Sequence, residues 1–269
     1  MYKLVALDMD GTLLNSDGTI SAINKQAIAA AREQGVYVVL ASGRPIEGMT
    51  WALKELNMDS DNDFVLSYNA SLVQRVASQE VVRSQTLKGI DAKTIAAIAH
   101  DLGVHVHAFS RRQGLITPEH NYYTDHEAKI NGLTITLANF AELDDNEEIM
   151  KVMIIDEAER LEAAIAQLPS DLYQQYTIVR SAPFFLEFMH TNSNKGVGVK
   201  ALADFLNIKQ DEVIAMGDAG NDHHMIEFAG LGVAMGNATD ETKAIANYIT
   251  DTNNNGGVAQ VIEKFILNA

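Results

Sequence analysis

Tyr2 to Leu14, YKLVALDMDGTLL, is the stretch whose reading decides the fold. Its first half, Lys3 to Leu7, is a short apolar run leading into two carboxylates, which reads as a buried parallel strand ending at a polar site. Asp8 and Asp10 are two apart, so on an extended chain their side chains leave the same face, and Gly11-Thr12 supplies a sharp turn. Ligands of open α/β sheets bind beyond the carboxyl ends of the strands. Taken alone, the stretch fits either a catalytic pair or an Asx-rich turn capping a strand.

Downstream of it, Ser21 reads as a helix N-cap, Ile23, Ala27, Ile28 and Ala31 fall on one helical face, and Gly35 stops that helix. The run Val36 to Leu40 is then a second strand, ending in Ala41-Ser42-Gly43-Arg44. Pro45 opens a second amphipathic helix to about Leu56, and Phe64 to Tyr68 makes a third strand leading into Asn69-Ala70. Strands alternating with helices predict a Rossmann-like, doubly wound parallel sheet. From about Leu72 the pattern changes. LVQRV and EVVRSQTL read as a hairpin, Asp91 to Leu102 and Glu157 to Leu168 as helices, and VHVHAF as a half-buried strand. Further strands fit Leu133 to Leu137, Lys151 to Ile155, Thr177 to Arg180 and Phe184 to Met189. Near Asn192 the first pattern returns, with a helix from Lys195 to Leu206, strands at Val213 to Met216 and Gly232 to Met235, a helix through Met225 and Ile226, and terminal helices. The expectation is a discontinuous α/β core, residues 1–81 and 191–269, carrying an inserted α+β domain, residues 82–190.

The chain has 269 residues, 47% hydrophobic and 21% charged, a globular composition. It has no cysteine, which excludes a disulfide framework, a zinc-thiolate site and a thiol nucleophile. Leu4 to Leu7 is too short for a signal-peptide core and no run approaches membrane-spanning length, so the expected protein is soluble and cytoplasmic, without a membrane partner. A net charge of -16 has the wrong sign for following a phosphate backbone, so nucleic acid is not an expected partner. The same field repels phosphorylated metabolites, and phosphate chemistry here needs a local cation.

The returning half carries a second acidic turn, GDAGND, with Gly217, Asp218, Asn221 and Asp222 after a strand. In one parallel sheet, both acidic turns and Ser42-Gly43 share the carboxyl edge. Lys195 opens the helix after the insert, where ammonium and helix N-terminus both favour an anion. Asp-x-Asp-Gly-Thr, then Ser-Gly, then Lys, then Gly-Asp-x-x-Asn-Asp is a specific order. With ASGR at Ala41 to Arg44, YNAS at Tyr68 to Ser71 and an insert of this position and size, the chain resembles the haloacid dehalogenase-like hydrolase superfamily over its whole length. Within it, the resemblance is to magnesium-dependent sugar phosphatases with the large α/β cap of the Cof type.

That resemblance implies a phosphatase of small phosphorylated metabolites that works through an aspartyl phosphate. Asp8 is then the nucleophile, and Asp10 the acid for the leaving alkoxide and the base for water. Asp8, the backbone carbonyl of Asp10 and Asp218 hold Mg²⁺, all hard oxygen donors. Like charges about 4 Å apart repel by roughly 4 kcal/mol at an effective dielectric near 20, so clustered carboxylates facing a phosphate require such a cation. Ser42, Gly43, Lys195, Asn221 and the Met9 backbone amide are the implied phosphate contacts. Asp222 is assigned to supporting the metal site or orienting Lys195. Arg44 either reaches the substrate or pairs with a core carboxylate, and Asn69 resembles a substrate contact at the rim.

Other signals carry less. Asp251 to Gly256 begins like a calcium loop, but position twelve falls on Ile262, so a loop and helix cap is expected. His105 and His107 share a strand face without a third ligand near in sequence, which reads as a half-exposed strand. His223-His224 stands where small or apolar residues are expected. Two other functions share parts of the pattern: a phosphomannomutase-like phosphotransferase, and a receiver-type phospho-acceptor switch, which lacks so large an insert.

Overall fold

The computed structural model describes residues 1–268. Met1–Ser84 together with the chain from Asn194 onward forms one compact unit, and Gln85–Ser193 forms a second. The first begins with β1 (Leu4–Leu7), α1 (Ala22–Glu33), β2 (Tyr37–Ala41), α2 (Ile46–Glu55), β3 (Phe64–Ser67), β4 (Leu72–Arg75) and β5 (Val81–Ser84). The second comprises β6 (Leu87–Lys88), α3 (Gly89–Asp101), β7 (His105–Ser110), β8 (Gly114–Thr117), α4 (Tyr122–Asn131), β9 (Ile135–Leu137), β10 (Glu148–Ile155), α5 (Ala158–Ile165), α6 (Leu172–Gln175), β11 (Tyr176–Ala182) and β12 (Phe185–His190). The chain then returns to the first unit with α7 (Lys195–Phe205), β13 (Val213–Gly217), α8 (His223–Phe228), β14 (Leu231–Ala234), α9 (Asp240–Ile245), β15 (Tyr248–Ile249) and α10 (Gly257–Ile262).

The first unit is built on a sheet ordered β15-β14-β13-β1-β2-β3-β4-β5. Every pairing from β15 to β3 is parallel. β1 is fully buried along its length because both of its faces are covered. Val5 and Leu7 pack with α1, α2 and α10, while Leu4 and Ala6 pack with α7 and α8. Burial of Leu4, Val5 and Leu7 contributes about 1.5–3 kcal/mol each, and burial on both faces is why the run reads as continuous hydrophobicity rather than alternation. The chain winds outward from β1 through β2 and β3, and in the other direction from β13 through β14 and β15. The reversal between β1 and β13 is the topological switch point, and it fixes where a site can form.

Three readings of the sequence are corrected here. The insert begins three residues later than the expected residue 82: β4 pairs antiparallel with β3 and β5 with β4, so the hairpin extends the core sheet to Ser84. Ile23 is exposed and Asn24 is buried in its place, since the Asn24 side chain accepts the Ala259 backbone amide and ties α1 to α10. Finally, the strand holding His105 and His107 is not half-exposed at His107, which is completely buried. The Ser21 cap is present, its side chain accepting the Asn24 amide, and Gly35 follows α1 at φ 81°.

The second unit is an antiparallel sheet ordered β11-β12-β10-β7-β8-β9, in which only β8 and β9 run parallel and β6 pairs beside β10. Its apolar core joins α3 and α5 to Val106, Ala108, Val152, Ile154, Leu186 and Phe188 of the sheet. Among the described residues, no helix is long and apolar enough to cross a membrane.

Candidate active site

β1 ends at Leu7, and the Asp8 amide still bonds to the Met216 carbonyl of β13, so Asp8 leaves the sheet beside the neighbouring strand. The chain then turns sharply. Thr12 and Leu14 amides return to the Met9 carbonyl, Leu13 to Asp8, and Gly11 sits at φ +85°. A Cβ on Gly11 would collide with the Asp218 carboxylate, so glycine is required here by both backbone and space. Met9 buries its side chain in the core, which leaves its backbone in the turn between the two acids.

Asp218 follows β13 and reaches the same point. Its Oδ1 accepts the Thr12 hydroxyl at 3.0 Å. Asp8, Asp218 and Asp222 each offer a carboxylate oxygen within 4.8 Å of the others. Lys195, the first residue of α7, is wholly buried and donates to Asp8 at 2.5 Å and to Asp222 at 2.6 Å. The other Asp222 oxygen accepts the Asp218 and Ala219 amides at 3.0 and 3.1 Å. Both Asp222 oxygens are therefore committed to protein donors, which makes it the residue that orients Lys195 and braces the Asp218 turn.

One ammonium serves three carboxylates, and the electrostatics follow from that imbalance. Burial alone would lower Lys195, but the charges of Asp222 and Asp8 outweigh it and hold the ammonium above its ordinary value. Asp8 is held well above the usual carboxylate range, first by burial and then by the Asp222 charge, against the pull of Lys195. Asp218 is raised to about 6, by burial first and then by Asp222. The cluster is short of positive charge, and hard oxygen donors with excess negative charge suit a divalent cation of the magnesium type.

Beside this cluster, Ser42 follows β2 with its amide on the Leu66 carbonyl. Its hydroxyl accepts the Arg44 amide at 3.2 Å. Tyr68, Asn69 and Ala70 have φ of 53°, 53° and 65°, a run of left-handed residues costing about 1–3 kcal/mol apiece. That turn brings the Asn69 amide to the Ser42 carbonyl at 2.9 Å and its side-chain oxygen to the Asn221 amide group at 3.2 Å. Gly43 is close-packed against the Asn69 side chain. Ser42, Gly43, Asn69 and Asn221 thus form a connected rim.

Of the two alternatives for Arg44, the structure has the pairing with a core carboxylate. Its Nε and Nη2 donate to Asp10 at 2.9 and 2.7 Å, a two-bond fork on a side chain that is 58% exposed. His223 bonds Thr242 of α9 at 2.9 Å and so joins α8 to α9, while His224 is exposed. His105 pairs with Glu119 at 3.1 Å. The Asp251 loop is a cap: its carboxylate accepts from Thr252, Asn255 and Gln260, and Gly256 at φ 72° starts α10. Two supporting residues escaped the sequence reading. Thr12 was legible only as a turn residue, though it stands inside the quoted motif. Asn237 donates to the Gly11 carbonyl at 2.8 Å from across the switch point, and no local pattern marks it.

The family described as haloacid dehalogenase-like hydrolase matches residues 5–262. A protein of Bacillus subtilis named "Putative phosphatase YxeH" is 40% identical over 99% of both chains. Another from the same organism, the 5-amino-6-(5-phospho-D-ribitylamino)uracil phosphatase YitU, is 30% identical over 97% of each. Among solved structures, a haloacid dehalogenase-like hydrolase from Bacteroides thetaiotaomicron has a TM-score of 0.88 and 33% identity, covering 99% of this chain and all of that one.

Proposed function

Since the chain belongs to the haloacid dehalogenase-like hydrolases, we propose that it is a magnesium-dependent phosphatase acting on small phosphorylated metabolites, with sugar phosphates as the substrate class. The observation that carries the reading is the convergence of Asp8, Asp218 and Lys195 at the switch point between β1 and β13. The relatives' names support phosphomonoester hydrolysis, and the compound in the name of YitU bears its phosphate on a polyhydroxylated ribityl chain.

In this reading Asp8 attacks phosphorus and carries the phosphoryl group as an aspartyl phosphate. Asp10 gives a proton to the departing alkoxide and takes one from the water that cleaves the intermediate. Asp10 must leave the Arg44 fork, or share it, to reach that oxygen. Lys195, Ser42, Gly43, Asn221 and the Met9 amide hold the phosphate oxygens, donors aimed where charge develops. Asp222 keeps Lys195 charged and in place. Asp8, the Asp10 carbonyl and Asp218 would hold Mg²⁺, which when bound supplies charge neutralisation for the phosphate and the carboxylates.

The test is release of inorganic phosphate from a panel of sugar phosphates, nucleotides, flavin mononucleotide and pyridoxal phosphate, with magnesium and with EDTA. Asp8→Asn should abolish turnover, and chelation should do so reversibly. Undiminished rates in excess EDTA would remove the metal from the proposal. Isomerisation without net phosphate release would favour the phosphotransferase alternative.

A further inference from the structure

The register of β1 with β13 ends at Leu7 opposite Met216, and the Asp8 amide adds one more bond, to the Met216 carbonyl. Past that point the spacing of the two acidic turns has to come from other bonds. The like charges of Asp8 and Asp218, whose oxygens come within 4.8 Å, push the turns apart. The loop from Met235 to Thr239, between β14 and α9, reaches both turns. Its backbone is fixed to the β13 turn: the Met235 amide donates to the Gly217 carbonyl and the Thr239 amide to the Asp218 carbonyl, each at 3.0 Å. The Gly236 amide donates to the Asp251 carbonyl at 3.0 Å, and Met235 and Ala238 are buried in the core, so the loop is held on both sides of Asn237. Its link to the β1 turn is the Asn237 side chain, whose Nδ2 donates to the Gly11 carbonyl at 2.8 Å.

The Asn237 amide group can face only one way. Its Oδ1 accepts the Asn253 backbone amide at 2.9 Å, and a backbone N–H can only donate, so Nδ2 is the atom presented to Gly11. Asn253 is buried and donates from its own Nδ2 to the Leu14 carbonyl at 2.8 Å. The Gly11-Thr12 peptide is therefore held at its carbonyl by Asn237 and at its amide by the Met9 carbonyl, while the Thr12 hydroxyl reaches Asp218. A glycine leaves the peptides on either side of it free to rotate, so fixing the Gly11 carbonyl also restrains the neighbouring Asp10 carbonyl. Asn237 is exposed, and water competes for an exposed hydrogen bond, so this bond adds little to folding. Its value is geometric.

We propose that Asn237 is a positioning residue for the metal site: it sets the spacing between the Asp10 carbonyl on one turn and the Asp218 carboxylate on the other, and thereby the affinity for Mg²⁺. The inference rests on the metal assignment made under the proposed function. Magnesium demands near-ideal octahedral oxygen geometry, so a small change in the spacing of the turns weakens binding. Residues that orient metal ligands from behind typically carry about 10–100-fold of metal affinity.

The experiment is calorimetric titration of the full-length protein with magnesium chloride, for the wild type, Asn237→Ala and Asn237→Asp, with the melting temperature in EDTA as the measure of folding. Asn237→Ala removes both side-chain bonds. Asn237→Asp keeps the acceptor for Asn253, replaces the donor to Gly11 by an oxygen and adds a negative charge beside a cation site. Charge alone would tighten magnesium binding and lost positioning weakens it, so the two effects differ in sign. Both variants should bind magnesium about tenfold or more weakly than the wild type. The magnesium concentration for half-maximal phosphate release should rise in parallel, with kcat at saturating magnesium changed much less. Wild-type or tighter magnesium binding by Asn237→Asp would overturn the positioning role, and so would an Asn237→Ala variant that melts lower in EDTA yet keeps wild-type affinity; either result leaves the metal assignment standing. A wild type that binds no magnesium would overturn that assignment, and the positioning role with it.

Discussion

Asp218→Asn should make the metal-free protein more stable, and the structure sets the size of the effect. The Asp218 carboxyl is raised from 3.8 to about 6 in the folded state, mostly by burial and by the Asp222 charge. A folded-state pKa above the unfolded value means that the folded protein binds the extra proton. Its stabilising effect is complete below about pH 4 and is lost as pH rises through about 6. At 1.36 kcal/mol per pH unit the loss by pH 7.5 is about 3 kcal/mol, and solvent screening of a partly exposed side chain reduces it to about 1–2 kcal/mol. Asparagine avoids that cost and its side-chain oxygen can still accept the Thr12 hydroxyl. In EDTA at pH 7.5 the variant should melt roughly 2–8 °C above the wild type. The gap should shrink towards pH 5. With magnesium at about 100 times its dissociation constant the wild type gains about 2.7 kcal/mol and the order should reverse. Thermal unfolding at pH 5 to 8, with EDTA and with magnesium, reads all of this. A variant less stable than wild type in EDTA at pH 7.5, or a gap independent of pH, would refute the argument that surplus carboxylate charge destabilises the cluster when magnesium is chelated.

Asp10→Asn should slow hydrolysis of sugar phosphates by about 10²–10⁴-fold and that of p-nitrophenyl phosphate much less, because nitrophenolate departs without a proton. Steady-state rates on both substrates check this, and equal losses would argue against the acid role. Gly11→Ala combines a left-handed backbone costing about 1–3 kcal/mol with a methyl group driven into the Asp218 carboxylate. The expected result is a folded protein by circular dichroism with most of its turnover lost; an active variant would mean that the turn relaxes freely.

The sequence alone determined the parts whose cause is local. Apolar runs bounded by glycine and acidic turns marked β1, β2, β3, β13 and β14, because a strand buried on both faces needs continuous hydrophobicity. Ser21 marked the start of α1 because only a short side-chain oxygen caps there. Asp8 and Asp218 could be grouped from the sequence because strand ends of one parallel sheet share an edge, and Lys195 joined them through the order of the motifs. What tertiary structure decided is whatever depends on partners far along the chain. Arg44 had two physically equal options until the turn after β1 brought Asp10 within reach of its fork. Asn24 displaced Ile23 from the buried face because Ala259 of α10, remote in sequence, supplies a backbone donor for the Asn24 side-chain oxygen. The β4-β5 hairpin joined the core sheet because β3 offered an open edge, which no periodicity within Leu72–Ser84 records. His107, Lys151 and Glu187 read separately as ordinary strand residues. Register between three strands puts them on one buried face, and register is a property of pairing rather than of any one segment.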